Sequence, residues 1–439
     1  MNTSRYNSFF RVDGRDILAY NCLSGALARL SAEEFAGLQA YCENPDDGVF
    51  EARGLEALRD GLTSAGFLIP DEMDEMEPMR AMHTAIKAQR RRAIGLTIVP
   101  TLDCNFRCSY CFSYARRERM SAEVQEALLR FVEQQLPEID ALSTTWYGGE
   151  PTLCLGLIEG LSGRLRDLCE RHKVEVQGCG VVTNGYLLTA KVAKRLKSAG
   201  ITDAQVTLDG DQETHNARRP LRHSGSGTFD RILENVAATR GILDIQIRIN
   251  VDRDNAGTAI AALDALAERG LQGTPAYFGH VQAFTDACAG AASTCLSDAE
   301  FAQLNMELTR QALARGFTAL RYPQPLLGGV CGAEHERGYL IAPDGLLFKC
   351  WAEASLGVEH SVGSVFGGEV TPVQRANLRC YLDWDALADP ECGECSVLPI
   401  CMGGCPYLRV HGPRGSNCST WRHSLLETLA LRYKVRQLM

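Results

Sequence analysis

Eighteen cysteines in an acidic chain constrain this fold more than any other feature, because ten of them fall into two tight patterns. Cys104, Cys108 and Cys111 are spaced C-x3-C-x2-C. The second pattern runs Cys331, Cys350, Cys392, Cys395, Cys401, Cys405 and Cys418. Nothing at the N-terminus reads as a signal peptide, so a reducing compartment, the cytoplasm, is the expectation, and disulfides are disfavoured there. Thiolate ligands to a metal or cluster explain the surplus better. Of the other eight, Cys380 is considered below, and Cys22, Cys42, Cys154, Cys169, Cys179, Cys288 and Cys295 sit mostly in apolar or helical settings and read as small buried side chains.

The rest of the sequence is that of a globular enzyme. With 439 residues, 45% hydrophobic and 23% charged, it should form several domains. A net charge of -9 and the lack of a basic aromatic face disfavour a nucleic-acid partner. No run of about 18 apolar residues is present, so no membrane span is expected. Residues 1–90 open with Phe9–Val12 and Ile17–Tyr20 around Asp13-Gly14, a hairpin signal. Helical patterns at Ala32–Tyr41 and Leu55–Ala65, a short apolar end at Gly66–Ile69 and a charged linker follow.

From residue 94 strands and helices alternate. Strands are expected at Ile94–Pro100, Leu142–Tyr147, Gly180–Thr183, Gln205–Leu208, Ile245–Val251 and Ala276–His280. Helices are expected at Ala122–Gln135, Leu155–Arg171, Ala190–Ala199, Phe229–Thr239, Gly257–Gly270 and Asp298–Arg315. The fold class is therefore α/β. Six units suit a partial (β/α)6 TIM-like barrel over residues 91–320, with its ligand edge at the C-terminal strand ends. A small α+β N-terminal domain precedes it. A segment rich in Cys, Gly and Pro follows over 321–424 and needs metal or cluster staples. A last helix spans 425–439.

The loop Thr101–Phe112, with Tyr110 before its third cysteine, resembles the signature of the radical S-adenosylmethionine (SAM) superfamily. Three thiolates hold three irons of a 4Fe–4S cube and leave the fourth open. The resemblance implies that the open iron binds the amino and carboxylate groups of SAM, and that reductive cleavage yields a 5′-deoxyadenosyl radical. It extends to Gly148-Gly149-Glu150-Pro151, where glycines admit close backbone approach and a carboxylate favours an ammonium. It also takes in Asn184 of Thr183-Asn184-Gly185, Thr207 and Asp209 of Thr207-Leu208-Asp209-Gly210, His215, Asn216 and Arg219 of an H-D-x-x-R-like stretch with Asn216 in place of the acid, and Arg248 and Asn250.

The second pattern resembles the SPASM module. That likeness implies two auxiliary 4Fe–4S clusters, hence three clusters in all. One takes Cys331, Cys350 and Cys405; the other takes Cys392, Cys395, Cys401 and Cys418. Cys380, an open iron or a substrate thiolate are the options for the remaining ligand of the first, since Arg337 stands where some relatives carry another cysteine. The N-terminal segment is loosely similar to the leader-peptide-recognition (PqqD-like) domain. Together these resemblances imply a peptide maturase acting on a ribosomal precursor peptide, leader plus core, and forming a thioether or another cross-link, with an external donor such as flavodoxin or ferredoxin. Two alternatives stand beside it. One is a sulfatase-maturase-like oxidation to formylglycine, disfavoured because Trp351 follows Cys350 where those relatives carry an aspartate base. The other is a non-catalytic metal-binding scaffold such as zinc ribbons.

Overall fold

The computed structural model describes every residue except 13, 15, 45–47, 330, 413, 414, 416, 417 and 439. At the N-terminus, β1 (Asn2–Thr3) precedes a three-stranded antiparallel sheet of β2 (Asn7–Val12), β3 (Asp16–Asn21) and β4 (Leu27–Leu30), in the order β2-β3-β4. Asp13 of the expected hairpin turn lies outside the described residues; Val12 pairs with Asp16 across it. Helices Ala32–Glu43 and Glu56–Ser64 follow, the first closed by a Ser31–Glu34 capping box. β5 (Leu68–Ile69) returns to pair with β1. Ile17, Leu38, Tyr41, Phe50, Leu62 and Phe67 form this unit's own core.

Helix Met76–Arg90 then leads into six parallel strands: β6 (Ala93–Ile98), β7 (Ala141–Trp146), β8 (Glu175–Thr183), β9 (Asp203–Leu208), β10 (Asp244–Val251) and β11 (Ala276–His280). They pair in sequence order. Alternate residues of β6, Ile94, Leu96 and Ile98, are buried outward against the helices. Helices Ala122–Gln135 and Phe229–Thr239 form over the expected residues. The helix expected at Gly257–Gly270 is confined to Ala261–Ala267, because Asn255 caps a preceding turn with bonds to Asp252 N and Asn250 O.

The alternation does end near residue 320, yet the sheet does not. β12 (Gly338–Ile341) adds to the free side of β6 in parallel, and β13 (Leu346–Phe348) and β14 (Gly363–Ser364) continue antiparallel, giving nine strands in the order β11-β10-β9-β8-β7-β6-β12-β13-β14. The cysteine-rich segment is thus hydrogen-bonded onto the strand that carries the first cysteine loop. The chain closes with helix Trp421–Leu438, whose Leu425 and Leu429 pack with Tyr6, Tyr20, Met76 and Met79. No helix among the described residues is long and apolar enough to cross a membrane.

Ile247, fully buried in the middle of β10, measures the barrel core. Ile247→Ala should cost about 2–5 kcal/mol in denaturant unfolding, through lost burial and the cavity left behind; a loss below about 1 kcal/mol would mean the barrel packs differently.

Candidate active site at the strand tops

The first cysteine loop leaves β6 and is fixed before any ligand arrives. Thr101 Oγ1 accepts from Asp103 N at 3.0 Å and donates to Glu118 O at 2.6 Å. The loop from β7 locks onto it: Gly149 N donates to Thr101 O at 3.1 Å and Glu150 N to Asp103 O at 2.8 Å. Only glycine fits there. Gly148 has φ +126°, and a Cβ on Gly149 would run into the Asp103 carbonyl. On its other side the loop lies along residues 218–222, through Arg107 N to Pro220 O at 3.2 Å, Ser109 N to Arg218 O at 3.1 Å and Arg222 N to Asn105 O at 2.8 Å.

Cys104, Cys108 and Cys111 lie within electrostatic reach of one another. As free thiols, burial pushes Cys104 up to about 12 and Cys108 up to about 11, so cation binding must displace their protons. Cys104 Sγ receives Phe106 N at 3.4 Å and Asn184 Nδ2 at 3.9 Å, donors that suit a thiolate. Among the described residues no three His, Cys, Asp or Glu side chains crowd tightly enough to hold one metal ion. A four-iron cube spreads its thiolates further than a single ion does. Three thiols on one loop, with no fourth beside them in sequence, form a donor set that fits such a cube.

Tyr110 organises the rest. Its hydroxyl donates to Asp209 Oδ2 and accepts from Arg219 Nη1 at 2.6 Å and Asn250 Nδ2 at 3.1 Å. Asp209 is 0% exposed and also takes Asn250 N at 3.2 Å. Arg218 lies over the Tyr110 ring at 4.8 Å and pairs in fork geometry with Asp252 at 2.9 Å. His215 is buried, and burial followed by Arg219 and Arg218 lowers its pKa well below the ordinary value. Its Nδ1 accepts from Asp209 N at 3.2 Å, so Nε2 carries the proton and meets Thr228 Oγ1 at 3.1 Å. Asn216 takes Thr228 N and Phe229 N through its amide oxygen and so caps the next helix. Arg248 Nε donates to Asn250 Oδ1 at 2.7 Å. Thr207 is the register partner of Arg248 on β9.

Glu150 differs from the expectation of a carboxylate that meets the SAM ammonium. It is 0% exposed, and its oxygens are occupied by Thr152 N, Thr152 Oγ1, Thr183 Oγ1 and Asn184 N at 2.5–3.0 Å. Burial raises its pKa, and these bonds oppose the rise. Glu150 therefore ties the end of β7 to the end of β8. It positions Asn184, whose Nδ2 reaches Asn105 Oδ1 at 2.8 Å.

The later cysteines gather as two sets. Cys350 lies within reach of Cys331 and Cys405. Cys401 lies within reach of Cys418 and Cys395, and Cys392 of Cys401 and Cys418. Cys380 joins neither: it is exposed on helix Pro372–Leu382, while its neighbour Tyr381 turns inward to Glu353 Oε1 at 2.7 Å. Lys349, buried, donates to His335 O at 2.5 Å and Gly338 O at 2.7 Å beside the first set. Trp351, which follows Cys350, points to the barrel strands. It is 38% exposed, donates to Thr97 Oγ1 at 2.9 Å and stacks on Tyr147 at 4.7 Å. Tyr147 and Tyr277 were missed; each follows the inward period of its strand, and that was the available signal. Cys288 is buried within reach of Cys111. A cavity of about 600 Å³ lies at the opposite, N-terminal mouth of the barrel, around Asp203, Gln205 and Asp244, away from these residues.

Comparisons agree with this geometry. Residues 98–255 match the Radical SAM superfamily profile. Mycofactocin maturase MftC of Mycolicibacterium smegmatis is 29% identical over 187 residues, 42% of this chain and 44% of that protein, so the match spans less than half of the relative. The serine-type anaerobic sulfatase-maturating enzyme of Klebsiella aerogenes is 23% identical over 70% of this chain and 78% of its own. Among solved structures, anSMEcpe with bound AdoMet and a peptide superposes at TM-score 0.60 with 19% identity, over 78% of this chain and 99% of that one. Streptococcus suis SuiB bound to precursor peptide SuiA superposes at 0.53 with 16% identity, over 95% and 98%; both are likenesses of fold.

Glu150→Gln should turn an amide donor against the Thr183 or Asn184 donors. We expect about 1–3 kcal/mol lost in thermal or denaturant unfolding and weaker SAM binding by equilibrium dialysis. Unchanged values in both would show that Glu150 does not hold the β8 loop. Residues 98–255 of this chain form a radical SAM superfamily domain, whose family implies one 4Fe–4S cluster and SAM.

Proposed function

We propose that this protein is a radical SAM peptide maturase that takes hydrogen from an unactivated carbon of a ribosomal precursor peptide and closes a thioether or another cross-link. The observation that carries this reading is the approach of two thiol sets to one interior. Tyr147 lies within electrostatic reach of both Cys111 and Cys350, and Trp351, next to Cys350, covers it from inside the barrel.

The cluster on Cys104, Cys108 and Cys111 together with SAM supplies a 5′-deoxyadenosyl radical when bound. Two auxiliary clusters, on Cys331, Cys350 and Cys405 and on Cys392, Cys395, Cys401 and Cys418, would supply one-electron acceptors, with the first open to a substrate thiolate. In this reading Asn184, Thr207, Arg219 and Asn250, with the carbonyls of Gly148 and Gly149, shape the SAM site, while Tyr110, Glu150 and Asp209 hold them in place. Residues 281–297 exclude water from above: Thr285 Oγ1 donates to Phe112 O at 2.6 Å, and Phe284 packs between Phe112 and Tyr407.

Residues 1–90 fit a leader-binding role through their three-stranded sheet and the helices packed with it. The outer edge of β4 carries no strand among the described residues, so a leader could add there by backbone pairing. Residues 91–320 would carry the radical chemistry, 321–424 the auxiliary clusters and 425–439 the brace. A flavodoxin or ferredoxin would deliver electrons, and the reducing cytoplasm would keep the thiols free.

Formylglycine formation is the second reading, favoured by the length of the match to the Klebsiella enzyme. Against it, Trp351 places an indole, hydrogen-bonded to Thr97, where that chemistry wants a carboxylate base. Mass spectrometry separates the two. After anaerobic reaction, a Cys-rich peptide encoded beside this gene should lose two hydrogens and one free thiol, and a short Cys-x-Pro-x-Arg peptide should stay unchanged. Aldehyde on the short peptide, with no change in the Cys-rich one, would overturn the cross-linking reading.

A further inference from the structure

The barrel interior contains a cation with no anion. Arg248 on β10 is the register partner of Thr207 on β9 and Tyr277 on β11. Its Nε is held by Asn250, and no carboxylate or further hydrogen bond meets its Nη groups among the described residues. Space for it is built in: a Cβ on Gly279 would lie 2.6 Å from Arg248 Nε. Arg321 comes from the open edge beyond β11. The two guanidiniums lie over the Tyr277 ring, at 5.8 and 5.0 Å from its centroid. Tyr277 cannot swing away, because its hydroxyl donates to Gln205 Oε1 at 2.6 Å. Asp209 and Asp252 above it are paired with Arg218, and Asp203 and Asp244 line the cavity at the far mouth, so no carboxylate among the described residues pairs with Arg248. A partly enclosed, unpaired charge is costly, and a ligand anion relieves that cost.

The geometry points to a carboxylate-binding wall, Arg248–Tyr277–Arg321, that holds an acidic side chain of the substrate peptide beside the residue being modified. Arg248 shares its layer of the barrel with Thr207, and it is the other half of the wall that assigns it to substrate instead of SAM. Arg321 and Tyr277 line a cavity of about 310 Å³ between β11, helix Asp298–Ala314 and the start of the last helix, at the open side of the sheet.

This inference rests on the maturase reading, and the test keeps the two apart. The probes are fluorescein-labelled Gly-Gly-Glu-Gly-Gly and its Gln counterpart, titrated by anisotropy against the reconstituted full chain with SAM present; deoxyadenosine release from SAM is read on the same preparation. The Glu peptide should bind about tenfold more tightly than the Gln peptide, the scale of one charge-assisted hydrogen bond. Arg321→Gln, an exposed position, and Gly279→Ala, which displaces Arg248, should each erase that preference. Equal binding of the two peptides overturns the wall, as does an Arg248→Gln protein that loses SAM in equilibrium dialysis while keeping the Glu preference. Absent deoxyadenosine with the preference intact would overturn the radical reading and leave the wall standing.

Discussion

The Tyr110 hydroxyl is the point on which the strand tops depend. One phenol, sent up from the cysteine loop, donates to Asp209 at the end of β9 and accepts from Arg219 after it and from Asn250 on β10. A single buried hydroxyl saturated in this way joins three chain segments without burying a net charge, because Arg218 and Arg219 stand against Asp209 and Asp252. In a low-dielectric interior such a network is stiff only when complete. The same bonds that orient the tyrosine therefore fix where Cys108 and Cys111, flanking it in sequence, present their sulfurs.

Fixing one loop would achieve little if the rest of the chain could drift. Here β12 pairs with β6 on the side opposite β7, so the strand that feeds the first cysteines is clamped between the barrel and the cysteine-rich segment. Trp351 then enters the interior from that segment and meets Tyr147 and Thr97. The cysteine-rich segment is coupled to the first cysteine loop by backbone hydrogen bonds instead of by a flexible tether.

Much of this was legible in the residues, and the exceptions have physical causes. Strands β6 to β11 announce themselves by apolar runs between amphipathic helices. Strands β12 to β14 do not: Gly338–Ile341 and Leu346–Phe348 are short, glycine-flanked and paired with a strand far away in sequence, so no local period marks them. Glu150 could be found by its motif, but its role could not, because a sequence does not show that all the partners of its carboxylate come from Thr152, Thr183 and Asn184. The two later thiol sets interleave along the chain, Cys405 following Cys401 yet lying within reach of Cys350, so spacing alone does not separate them and only the likeness to the SPASM module implies the grouping. Cys380 fails for a reason of helix phase: it and Tyr381 are adjacent, so only one of them can face the site.

The most direct test of the account is an iron and sulfide count on anaerobically reconstituted protein, followed by dithionite and SAM with deoxyadenosine as the readout. The account predicts about twelve irons per chain and deoxyadenosine that disappears when Cys104, Cys108 and Cys111 are replaced by alanine, with about eight irons retained. Zinc in place of iron, and no deoxyadenosine from the unaltered protein, would contradict it.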